Sequence, residues 1–123
     1  MSDVVIEQDR LGALLKWELD RNYCREAVTI AKGQNLEMGA LVTLDETSGE
    51  GKSLTADGVE TPFGILLADV DATDKEAKGV VVARSAILAK QYIVFPEGAD
   101  DAKKNTIIKA LAVNGIVVRD NLA

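Results

Sequence analysis

Three aspartates, Asp69, Asp71 and Asp74, stand within one short polar stretch. Carboxylates so spaced could hold a hard divalent cation or work as an acid–base pair. An EF-hand loop counted from Asp69 needs glycine at its sixth position and glutamate at its twelfth. Those positions hold Asp74 and Val80. Two readings stay open: a small carboxylate-based metal-binding enzyme or module, and a solvated turn between two strands. The turn is favoured, since Asp suits turns without any ligand.

The other chemistry-bearing residues lack partners of the right type. Cys24 is the single cysteine and the chain has no histidine. No imidazole can therefore activate the thiol, and no disulfide, CxxC redox pair or Cys-rich zinc site can form within one chain. A small, partly buried thiol is expected. Ser85 and Lys90 could form a Ser–Lys pair, but no motif surrounds them. Gly49, Gly51 and Gly58 make neither GxGxxG nor GxxxxGK[ST]. Lys103-Lys104 is a basic pair on a helix face, not a patch. No catalytic, cofactor-binding or metal-ligating residue is assigned, and no cofactor is expected.

What must position these residues is a β-rich chain. Of its 123 residues 47% are hydrophobic and 4% aromatic, so the core is built from Val, Ile, Leu and Ala. A chain of this size buries roughly two-thirds of its unfolded surface. Net charge is −6, with 14 basic residues scattered among 20 acids. That balance argues against nucleic acid and against an anionic membrane surface. The start Met1-Ser2-Asp3-Val4-Val5 reads as no signal peptide. No apolar run approaches the roughly 20 residues of a spanning helix. A soluble protein made in the cytoplasm is expected.

In chain order, Val4, Val5 and Ile6 are extended-prone, and Leu11, Leu14 and Leu15 recur at helical spacing ahead of Trp17. Residues 1–22 read either as an arm that orders against a partner or as an amphipathic turn packed on the domain. The domain proper is assigned to residues 23–123. Strands are predicted at Arg25–Ile30 and Ala40–Leu44, then an exposed loop or long hairpin over Asp45–Thr61. Pro62–Ala68 reads as a strand covered on both faces. Asp69–Glu76 reads as a polar connection, and Val80–Leu88 as one long central strand that Tyr92–Phe95 extends or flanks. A helix is predicted from near Ala99 to near Val113, with Asp100 and Asp101 in its first turn. Its apolar face is read as Ile108, Leu111 and Ala112 with Ile107 beside it. Asn114-Gly115 ends it, and Ile116–Arg119 is a last strand. The class is α+β, mostly β: a small compact domain with one main helix near the C-terminus and a flexible N-terminal arm.

Four stretches together resemble the head decoration protein family of tailed phages, of the phage lambda type. They are Gly64-Ile65-Leu66, Arg84-Ser85-Ala86, Val94-Phe95-Pro96-Glu97-Gly98-Ala99-Asp100-Asp101-Ala102-Lys103-Lys104, and Gly115-Ile116-Val117-Val118. The resemblance covers about residues 58 to 119. The family often has Trp before the proline; Phe95 keeps the packing and loses an indole N–H. The resemblance makes Phe95, Pro96, Glu97 and Asp100 a structural junction. It implies a capsid decoration (cement) protein, bound as homotrimers to the outside of the expanded head at local three-fold sites. There it would bridge copies of the major capsid protein and resist DNA pressure without touching DNA. It also implies that the N-terminal segment contacts the capsid protein by strand-like pairing. Val4, Val5, Ile6, Leu11, Leu14, Leu15 and Trp17 are the candidate capsid-binding residues. A different virion surface or cell-binding protein on the same fold is a further alternative.

Overall fold

The computed structural model describes residues 11–55 and 61–120. Among the described residues there are ten strands: β1 (Leu15–Glu18), β2 (Arg25–Ile30), β3 (Gln34–Leu36), β4 (Leu41–Leu44), β5 (Gly51–Ser53), β6 (Gly64–Leu66), β7 (Val70–Ala72), β8 (Ala77–Val82), β9 (Ala86–Ala89) and β10 (Ile116–Arg119). A one-turn helix α1 (Arg21–Cys24) links β1 to β2, and α2 (Asp101–Val113) precedes β10. Residues 11–14 are also helical. Strands β2, β5, β4, β6 and β8 close into a barrel, with a separate three-stranded sheet β1-β9-β10 and a β3-β7 pair. This is the expected α+β, mostly-β class.

The apolar runs of β4, β6 and β8 have a simple cause. Side chains alternate across a strand, and here both faces are covered. Val42, Leu66 and Val81 face one buried cluster with Val28 and Ile30. Their neighbours Leu41, Ile65 and Val82 face a second, shared with Leu88, Ile107, Leu111 and Ile116. The second cluster joins the barrel to the β1-β9-β10 sheet and to α2. A parallel pair needs a crossover connection. α2 supplies it, since β9 and β10 run parallel, Ala86 opposite Ile116.

Several boundaries differ from the sequence reading. The run Val80–Leu88 is two strands, because Ser85 sits at φ 52° and turns the chain between β8 and β9. The polar connection Asp69–Glu76 contains β7, whose Val70 and Ala72 point inward while Asp71 points out. The Asp45–Thr61 stretch holds β5, antiparallel to β4. Between the two predicted strands Arg25–Ile30 and Ala40–Leu44, Gln34–Leu36 forms strand β3. Tyr92–Phe95 does not extend β9; a 3-10 turn at Lys90–Tyr92 intervenes, and Val94 makes an isolated bridge to Ala40. The buried face of α2 is Ile107 and Leu111, one turn apart; Ala112 is exposed. The reason is axial rotation: the i, i+4 pair aims at the sheet, which carries Ala112 to the solvent side.

Residues 11–22 are built into this domain. Leu14 is 1% exposed in the main core, and Leu11 and Leu15 pack against it. β1 pairs antiparallel with β9. Val4, Val5 and Ile6 lie outside the described residues.

Candidate functional site

The junction Phe95–Asp100 is assembled from backbone constraints. Ala99 N–H donates to Pro96 O at 3.1 Å, closing a turn in which Gly98 takes φ 86°. That angle suits glycine at the third turn position. Asp100 then stands in extended backbone as the N-cap of α2, its Oδ1 accepting from Lys103 N–H at 2.8 Å. Asp100 is thus the cap, and Asp101 alone is the acid of the first turn. Phe95 packs against the main core, with Lys104 Nζ 5.5 Å from its ring centroid. Gly39 holds the segment from behind: at φ 93° a Cβ there would fall on Tyr92 O.

The aspartates are occupied with backbone work. Asp69 Oδ1 accepts from Met38 N–H at 2.8 Å, tying the β3–β4 connection to the β6–β7 turn. Asp71 accepts from Thr73 Oγ1 at 2.6 Å and Thr73 N–H at 3.1 Å. Those two bonds hold its carboxyl below the ordinary aspartate range, the hydroxyl contributing most. Among the described residues no three His, Cys, Asp or Glu side chains are grouped to hold a metal ion. Cys24 is fully buried, accepting from Asp20 N–H at 3.4 Å and donating to Ser85 O at 3.5 Å. Ser85 N–H donates to Asn114 O at 3.1 Å, whereas Lys90 Nζ lies 3.9 Å from Asp120.

Two further carboxyls were not singled out by the sequence. Asp45 is lowered by the backbone N–H groups of Ser48 and then Thr47. Glu50 is raised, first by a hydrogen bond with Glu76 and then by loss of solvent. The strands explain the meeting: Gly51 and Ala77 both pair with Ile30 of β2, so Glu50 and Glu76 precede the same rung. No sequence spacing announces that contact.

The candidate capsid-binding residues divide. Leu14 is sealed in the core, and Leu11 and Leu15 are partly covered. Trp17 is 50% exposed. It lies opposite Ile87, which in turn lies opposite Val117, so the three form one row across the sheet. Val117 is exposed, as are Leu19 and Val113 on neighbouring segments. Beside the first described residues, Leu14, Met38, Tyr92 and Ile93 line an open cleft together with the polar Glu37 and Gln91.

Among the described residues, Trp17, Leu19, Val113 and Val117 present apolar surface, and Asp20, Asp45, Asp69 and Asp100 brace turns through backbone N–H groups. The family model for bacteriophage lambda head decoration protein D matches residues 4–116. The chain therefore belongs to that family, and the match reaches far ahead of the 58–119 stretch that carries the resemblance. No curated protein matches the chain. Membership makes this a capsid-associated structural protein of a phage, with a decoration role. Among the described residues no helix is long and apolar enough to cross a membrane.

Proposed function

We propose that the chain binds the outer surface of the expanded phage head as a homotrimer at local three-fold positions, bridging copies of the major capsid protein. Bound there it stabilises the shell against the pressure of packaged DNA. The observation that carries this reading is the family match over residues 4–116. The acidic balance, net −6, is consistent with a partner other than DNA.

The N-terminal end is the proposed point of contact. Val4-Val5-Ile6 has the β-branched character of a strand that adds to an exposed sheet edge, where backbone bonds give affinity. Three such segments on one trimer act together by avidity. The test is direct. Purified protein is mixed with expanded capsids of its own phage that lack decoration protein. Co-sedimentation and a rise in the heat or chelator resistance of the shells are expected. Expanded shells that neither bind it nor gain resistance would overturn the proposal.

A further inference from the structure

We infer that β1 is a clamped root for the N-terminal segment, and that Glu18 and Arg25 are positioning residues for capsid binding. This rests on the reading that the residues ahead of Leu11 contact the capsid. β1 is a weak strand taken alone. It has four residues, pairs on one edge only among the described residues, and its register slips between Leu15 and Trp17. A strand so short and irregular needs other attachments to stay docked.

The structure supplies three. Leu14, just ahead of the strand, is plugged into the main core. Leu19, just after it, donates its N–H to Ser85 O at 3.0 Å. Between them, Arg25 Nε reaches both Glu18 carboxylate oxygens at 3.1 Å and its Nη2 lies 2.9 Å from Oε1. The Arg25 and Glu18 side chains are only 19% and 15% exposed. A surface ion pair contributes little; a forked, mostly covered one is charge-assisted and directional. This pair also joins two sheets, since Glu18 lies in the β1-β9-β10 sheet and Arg25 opens barrel strand β2. Ser85 makes the Leu19 attachment possible. Its left-handed backbone presents one carbonyl to both Leu19 N–H and the Cys24 thiol.

A fixed root matters for a multivalent binder. The described end of each segment, at Leu11–Leu14, is then held at a set place on its protomer, so less freedom is lost on docking. Three roots held in one geometry can engage three sites at once.

The test uses the full chain and four variants: Arg25→Gln, Glu18→Gln, the charge exchange Glu18→Arg with Arg25→Glu, and deletion of residues 2–10. Three quantities are read: amide exchange at Leu19, affinity for undecorated expanded capsids, and melting temperature. Each single variant is expected to speed Leu19 exchange and to weaken capsid affinity about tenfold, the equivalent of losing one charge-assisted bond. Barrel amides should stay protected in both. The charge exchange should restore slow Leu19 exchange and affinity together, which a merely structural role would not couple. Wild-type affinity in both single variants, with binding abolished by the deletion, overturns the clamp and leaves the contact reading standing. Wild-type binding by the deletion variant overturns the contact reading and the clamp with it.

Discussion

Replacing Leu14 by alanine asks whether residues 11–22 belong to the fold or hang from it. Leu14 is 1% exposed and packs in the main core beside Leu88 and Ile116. Leu→Ala at such a site costs about 2–5 kcal/mol, the spread set by how far the site collapses. A domain of this size has roughly 5–15 kcal/mol in all. With an unfolding entropy of about 2.1 cal/mol/K per residue, 123 residues give about 0.26 kcal/mol/K. A loss of about 3 kcal/mol then lowers Tm by about 12 °C. The assay is urea and thermal unfolding followed by circular dichroism, with the m-value checked for constancy. Leu19→Ala, at a site 61% exposed, is the control and should stay within about 0.5 kcal/mol. A Leu14→Ala shift below about 1 kcal/mol would refute the reasoning. It would mean that the segment detaches before the domain unfolds, as an arm does.

Four further outcomes are expected. Asp100→Ala removes the cap on Lys103 N–H and should cost about 1 kcal/mol in urea unfolding, leaving the other strands intact. Gly39→Ala puts a methyl on Tyr92 O at a positive φ and should give little soluble protein, or a loss well above 2 kcal/mol. Ser85→Gly relieves a left-handed serine and should raise stability by a few tenths to about 1 kcal/mol, since the strain removed exceeds the added unfolded-state freedom. The carboxyls oppose one another with pH. Asp45 and Asp71 are lowered, so their contribution is present above the ordinary aspartate range and fades as acid protonates them in the folded state. Glu50 is raised, so its contribution is present in acid and is lost as pH rises through its folded value. Melting curves from pH 3 to 7 should therefore show Asp71→Asn losing stability at neutral pH and converging on wild type in acid. Glu50→Gln should do the reverse, gaining at neutral pH.

Sequence legibility followed the range of the forces. β2, α2 with its acid start and Gly115 stop, and β10 are set by neighbours along the chain, and their positions follow from local pattern. The turn and helix cap of the junction are equally legible, because Pro96, Gly98 and Asp100 each fix a backbone state almost alone, whereas the strand expected ahead of them is a single bridge at Val94. Strands β3, β5 and β7 were missed as separate elements. Each has three residues, too few for a period, and each is a strand only because a partner strand lies beside it. Of the candidate residues, Trp17 is exposed and Leu14 is buried, since helical spacing cannot say whether an apolar face meets the domain or a partner.

By itself the sequence determined the class, the lack of histidine and of a second cysteine in this chain, and the family that the Val94–Lys104 stretch marks. Tertiary structure alone decided the rest. It split Val80–Leu88 at Ser85, because the turn is stabilised by bonds to Asn114, Leu19 and Cys24, which are distant in sequence. It brought Glu50 against Glu76 across one rung of β2. It docked β1 onto β9 through strand pairing, the burial of Leu14 and the Leu19–Ser85 bond. These are contacts between segments separated by long stretches of chain, and no local periodicity encodes which of them form.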